Sequence, residues 1–288
     1  MQYQDTLDAF RLAMAEAGMI VDEPLSADGA LRRVYVDGDK RGSKNGAYVL
    51  HADGNPAGWA MHYRTGVTVN WSASGQRQPM TDAMRRQIAN DKAKRQLEQE
   101  QRQRDAADKA RFIWHRAAPI PCRDDHPYLI RKRVDPRGLR LGRDGVLVVP
   151  ILNADLELVN LQFISADGDK RFLSGGRKQG CFAVIGRAEA GKPILICEGW
   201  ATGASIHQDG GHFVAVALDK GNLEPVAGVF RALATDAEII IAGDNDLDGG
   251  GQTAARQAAL AVGGKYIIPP RPGDDWNDHI SAKGASHG

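Results

Sequence analysis

Glu198 ends the short apolar run Ile194–Cys197, and Asp244, Asp246 and Asp248 follow a second run that closes at Ala242. Continuous apolar runs of this length read as strands buried on both faces, the signature of a parallel sheet. Acids just past the carboxyl ends of such strands stand where open α/β sheets hold their ligands. Carboxylates gathered in one place repel one another unless a divalent cation neutralises them. Mg2+ keeps waters and phosphate oxygens among its ligands, so three or four acids suffice for a centre that acts on phosphates. Gly199, Gly203 and the Gly249–Gly251 run would let phosphates approach the backbone and face helix N-termini. Two plainer readings compete. Asp244–Gly249 begins like a calcium-binding loop, but the twelfth position is Ala255 instead of Glu and a strand precedes it. The same acids could also form a solvated turn that caps a helix.

The elements that must position these acids alternate from Pro193 onward. Strands are expected at 194–197, 213–217, 238–242 and 266–268, with helices at 201–208, 223–233 and 252–262 between them, as in a compact parallel α/β domain. Ahead of it, 146–152 and 158–164 flank an Asn153-Ala-Asp155 turn as a hairpin, a second turn leads into Lys170–Leu173, and 126–133 reads as a short basic helix. Residues 81–118 hold no Gly and no Pro and are dense in Ala, Gln, Lys, Arg and Glu, which favours one long, solvated helix. Near the N-terminus a helix over 6–17 precedes four short strands between Arg33 and Trp71, separated by Gly-, Asn- and Asp-rich turns. The expected divisions are therefore a small antiparallel β module over 1–75, a charged helix over 76–118, a mixed α+β subdomain over 119–190 and the parallel α/β domain over 191–288.

A chain of 288 residues with a formal net charge of +1 is no basic nucleic-acid coat, although local patches can still bind nucleic acid. Two basic groups stand out: Lys170, Arg171, Arg177 and Lys178 around a Gly-rich turn, and Arg131, Lys132 and Arg133 in the short helix. Positive charge beside a metal site would hold single-stranded template by its phosphates. Lys220 follows the second strand of the α/β unit, so its loop should border the same site. Three scattered cysteines, Cys122, Cys181 and Cys197, make neither a disulfide framework nor a zinc site, and Cys197 reads as a core residue. No apolar stretch reaches the length of a membrane span and the N-terminus lacks a secretion-signal pattern, so a cytoplasmic protein is expected.

Glu198-Gly199 with Asp244-x-Asp246 resembles the signature of the Toprim domain, shared by bacterial-type primases, topoisomerases and some nucleases. Asp274-Asp-Trp-Asn277-Asp278 resembles the element that follows this domain in phage and plasmid primases. His126-Pro-Tyr128-Leu, Val149-Pro-Ile151, Leu161-Gln-Phe163 and Lys170–Gly175 resemble the subdomain that precedes it. The resemblance covers residues 110 to 282. It implies a DNA primase of a mobile element, making RNA primers on single-stranded DNA from nucleoside triphosphates. Glu198, Asp244 and Asp246, with Asp248 as helper, would hold Mg2+ or its substitute Mn2+, and Lys170 would contact template or nucleotide. Asp275 and Asp278 would either serve the metal or cap the helix that starts at Trp276. A replicative helicase is the implied partner; no zinc and no membrane are expected. A Toprim nuclease and a non-catalytic, nucleic-acid-binding replication adaptor are the alternatives. Such primases usually begin with a zinc ribbon, whereas this chain has no cysteine before Cys122. Tyr35, Tyr48, Trp59 and Trp71 then read either as a base-stacking surface or as core.

Overall fold

A computed structural model describes residues 3–74 and 82–285 and resolves them into two compact units, Met1–Ala89 and Asn90–Gly288. In the first unit, helix α1 (Tyr3–Glu16) packs on an antiparallel sheet of β1 (Arg32–Val34), β2 (Gly46–His51), β3 (Ala57–His62) and β4 (Thr68–Ser72), in that order. Phe10 and Met14 point from α1 into the sheet, where Tyr48 and Leu50 are fully buried. Gly58 makes this possible, since a Cβ there would lie 2.6 Å from the Phe10 ring. Tyr48 and Trp71 both flank Phe10, so these two aromatics belong to the core reading.

One buried acid links three turns of this module. Asp39 accepts hydrogen bonds from Asn45 Nδ2 at 3.0 Å and His62 Nε2 at 3.0 Å, and pairs with Arg64 Nε at 2.7 Å. His62 Nδ1 meets Thr65 Oγ1 at 2.9 Å. Burial pushes the Asp39 carboxyl up, but His62, Asn45 and the Arg64 charge outweigh it and hold it below its ordinary 3.8. A carboxyl depressed by folding contributes stability that is complete above the unfolded value and is lost as pH falls through the folded one. Hydrogen exchange on the intact chain should therefore show β2 and β3 losing protection as pH falls from about 5 to about 3. Asp39→Asn should be less protected at neutral pH and flat across that range; equal acid sensitivity in both proteins would refute the assignment.

Helix α2 (Asp82–Arg116) is followed by the second unit's first sheet, β5 (Ala118–Pro119), β6 (Arg140–Leu141), β7 (Leu147–Leu152), β8 (Leu158–Ile164) and β9 (Lys170–Phe172), antiparallel throughout, with α3 (Pro127–Lys132) before β6. Strand periodicity divides its side chains between two cores. Val148, Leu161 and Leu173 pack with Ala110 and Ala117 near the end of α2. Leu147, Val149, Ile151 and Ile164 pack instead with the second sheet.

That second sheet runs β10 (Ala183–Ile185), β12, β11 (Ile194–Cys197), β13 and β14, where β12 is Val214–Val216, β13 Ile239–Ala242 and β14 Lys265–Ile267. Four of its strands are parallel, as expected; β10 joins as an antiparallel edge that sequence periodicity did not reveal. Helices α4 (Trp200–Gly210), α5 (Leu223–Leu233), α6 (Gly250–Ala261) and α7 (Trp276–Ala285) complete the unit. The chain is thus a mixed α+β fold with an antiparallel sheet before a largely parallel α/β portion. No helix among the described residues is long and apolar enough to cross a membrane.

Candidate active site

The register of two strands brings the acids together. Cys197 lies opposite Ala242 in the parallel pair β11–β13, so Glu198 and the Gly243–Asp244 step emerge side by side at the carboxyl edge. Cys197 also lies opposite Val216 of β12, whose following loop carries Asp219 and Lys220 to the same edge. Two glycines let the neighbouring backbone close in. A Cβ on Gly243 would lie 2.5 Å from that of Ala255, and one on Gly251 would lie 2.5 Å from the Asp244 carbonyl.

Electrostatics show how closely the carboxylates are crowded. Burial, reinforced by the charges of Glu198, Asp275 and Asp246, pushes Asp244 up to about 7. Burial and Asp246 also raise Glu198, against the pull of Lys220 and Lys170. Beneath them the Cys197 thiol is fully buried and pushed well up, first by burial and then by the charges of Asp244 and Glu198, so it is an inert core group. Asp246 Oδ2 accepts from the Gly251 amide at 2.9 Å and stands 3.5 Å from Lys220 Nζ. Asp248 instead folds onto its own turn, accepting from the Gly250 amide at 2.9 Å. The first amides of α6 are thus satisfied by the chain's own carboxylates, where sequence suggested open room for phosphate. The absent side chain of Gly250 makes space for Lys220, whose ammonium would lie 2.7 Å from a Cβ there.

Lys170 arrives from the other sheet. A Cβ on Gly199 would lie 3.7 Å from its ammonium, and its charge lowers both Asp244 and Glu198. The other basic residues are dispersed. Arg171 pairs across with Phe163 whereas Lys170 pairs with Ile164, so the two side chains leave β9 on opposite faces. Lys178 bridges to Asp219 at 2.5 Å and lies over the Phe172 ring, and Arg177 is exposed. Arg131 donates to the Ala166 carbonyl and Arg133 to that of Ser281. Lys132 stands 3.8 Å from both Asp275 and Asp278.

The Asp274–Asp278 segment does two things. Asp275 Oδ1 accepts from the Asp278 amide at 2.8 Å, a helix-capping contact, while the charge of Asp275 also acts on Asp244. Asn277, 2% exposed, donates to the Lys132 carbonyl and to Ser205 Oγ, both at 2.7 Å, and so ties α7 to α3 and α4. His126 is structural too: Nδ1 accepts from the Tyr128 amide at the start of α3 and Nε2 donates to the Gly145 carbonyl.

Among the described residues no three His, Cys, Asp or Glu side chains already form a metal-holding cluster. The donor chemistry nonetheless suits a hard cation. Asp244 Oδ1 is buried without a hydrogen-bond partner, and the mutually raised carboxyls gain from an added positive charge. Mg2+ needs only one or two protein carboxylates when water and substrate phosphates complete its shell.

Residues 193–286 match the family model of the Toprim domain. Over 91% of its length the chain is similar to two proteins from Escherichia coli, both DNA primase TraC, at 36% and 34% identity. It spans 26% and 19% of those relatives' own lengths. Among solved structures, it is similar to the zinc-binding and RNA polymerase domains of the Aquifex aeolicus primase at 16% identity and a TM-score of 0.43, covering 98% of this chain and 83% of that one. Glu198 and the Asp244–Asp248 acids all fall inside the matched domain. Residues 193–286 thus match the Toprim domain, and most of the chain is similar to a part of DNA primase TraC.

Proposed function

We propose that this chain is the catalytic part of a DNA primase, making short RNA primers on single-stranded DNA in the replication of a mobile element. The observation that carries the reading is the meeting of Glu198, Asp244 and Asp246 at the ends of two paired strands, with Lys170 reaching them from the preceding sheet. A divalent cation, Mg2+ or Mn2+, held there would acidify a primer 3′-hydroxyl and neutralise charge on the reacting phosphate. Glu198, Asp244 and Asp246 supply the oxygen donors. Lys170 and Lys220 balance the carboxylates and offer ammonium groups to a triphosphate or template phosphate. Asp248 and the Asp275–Asp278 pair hold the surrounding turns, and Asp275 adds charge.

In this reading residues 119–190 and 191–288 are the two halves of one catalytic core, joined through 76–118 to a separate module over 1–75. Single-stranded DNA and nucleoside triphosphates are its substrates, a replicative helicase its companion and the cytoplasm its place of work. The test is synthesis on single-stranded DNA with labelled ribonucleotides and Mg2+ or Mn2+. The parent should yield short labelled products, Glu198→Gln should lose about a hundredfold or more, and Lys170→Ala should bind nucleotide or template about tenfold more weakly while melting normally. Degraded template would favour a Toprim nuclease, and metal-independent binding without chemistry a replication adaptor.

A further inference from the structure

The face of the first sheet turned away from the acids has a cavity of its own. Arg171 and Phe163 are cross-strand partners, and Phe163 in turn faces Val148, so all three belong to the side covered by the end of α2. Between the last turns of α2, the 142–146 turn and strands β8 and β9 lies a cavity of about 720 Å3. That volume is within the range of small-molecule sites. Its wall combines aromatic rings with cations: Phe112 and Phe163 on one hand, Arg116, Arg143 and Arg171 on the other.

The chemistry of these residues selects a ligand class. Phe112 is 61% exposed although it belongs to the end of a packed helix, and Arg116 lies 5.3 Å from its ring centroid. Against three arginines the lining has a single acid, Asp144, and among the described residues none of the three forms an ion pair. Aromatic faces beside unneutralised guanidinium groups stack flat rings and hold phosphate in forked contacts. An aliphatic ligand would waste the arginines, and a bare phosphate would leave the rings wet.

We infer that this cavity binds a nucleotide, its base on Phe112 and Phe163 and its phosphate on Arg116, Arg143 and Arg171. The nucleotide is either free or part of a single strand, and the site is independent of the acids at the sheet's other face.

The test is photolabelling of the intact chain in EDTA with 8-azidoadenosine triphosphate, and separately with a single-stranded oligonucleotide carrying one 8-azidoadenine, mapped by mass spectrometry. Label should appear near Phe112 and Arg143. Phe112→Ala and Arg143→Glu, both at exposed positions, should each lower it about tenfold, with unchanged thermal melting, while Asp244→Asn leaves it intact. Labelling by the free triphosphate alone identifies a mononucleotide site. Stronger labelling by the oligonucleotide, falling with salt, identifies a strand track. Label confined to the Lys170 side, or label near Phe112 that survives Arg143→Glu, would overturn the inference.

Discussion

Asp244→Asn should cost the proposed primer synthesis about a thousandfold and at the same time make the metal-free protein more stable at pH 8. In the fold Asp244 ionises at about 7 against an ordinary 3.8, because burial and the charges of Glu198, Asp275 and Asp246 disfavour its anion. Between those two values the folded state holds a proton that the unfolded state has released, so stability falls as pH rises from 3.8 through 7. Above that window the full penalty applies, on the order of 2–4 kcal/mol once partial exposure is allowed for. Asparagine does not ionise and escapes it. Thermal melts in EDTA should place the variant above the parent at pH 8 and bring the two together near pH 4. Mg2+ should then raise the parent at pH 8 and leave the variant nearly unmoved. Equal melting temperatures at pH 8, or a gap that persists at pH 4, would show that Asp244 is not the crowded acid described above.

The largest loss of stability is expected at Asn222, which touches no part of the proposed chemistry. Its side chain is 3% exposed and accepts the Gly180 amide at 2.8 Å. Its amide nitrogen has two hydrogens for the carbonyls of Ala217 at 2.8 Å, Cys181 at 2.9 Å and Lys178 at 3.2 Å. One side chain thus joins the end of β12, the start of α5 and the 178–181 loop that leads into β10. Asn222→Ala strips partners from at least three buried backbone groups, at about 3–5 kcal/mol in total. In a unit of this size that lowers the melting temperature by roughly 10 °C. A fall of under about 2 °C would mean that water replaces the side chain. Lys178 and Lys220 flank these contacts, so the same variant should loosen the cations at the edge of the site.

The sequence was most readable where apolar periodicity and strand ends coincide. Strands β11 and β13 and helix α5 fall where the apolar runs put them, and the acids follow because they terminate those runs. Strand β10 escaped notice because three residues between glycines have no resolvable period. The basic residues are clustered in sequence but not in the fold, because adjacency in sequence is opposition in a strand, so Lys170 and Arg171 do not share a face. The stapling roles of Asp39, Asn222 and Asn277 were not legible because a polar residue becomes a staple only when tertiary packing buries it among backbone groups. Aromatics of the first unit were ambiguous in sequence, and the burial of Tyr48 resolves that residue as core.

The pairing of β11 with β13 also bears on how such a centre can diversify. Glu198 and Asp244 are neighbours through strand register, and everything between them in the chain (α4, β12 and α5) loops away and returns. The distance between the acids is therefore insulated from the length and composition of that excursion. New segments can be spliced into its exposed turns, and old ones trimmed, while the chemistry at the sheet edge keeps its spacing. A lineage can in this way change what surrounds the reaction many times over without having to reinvent it.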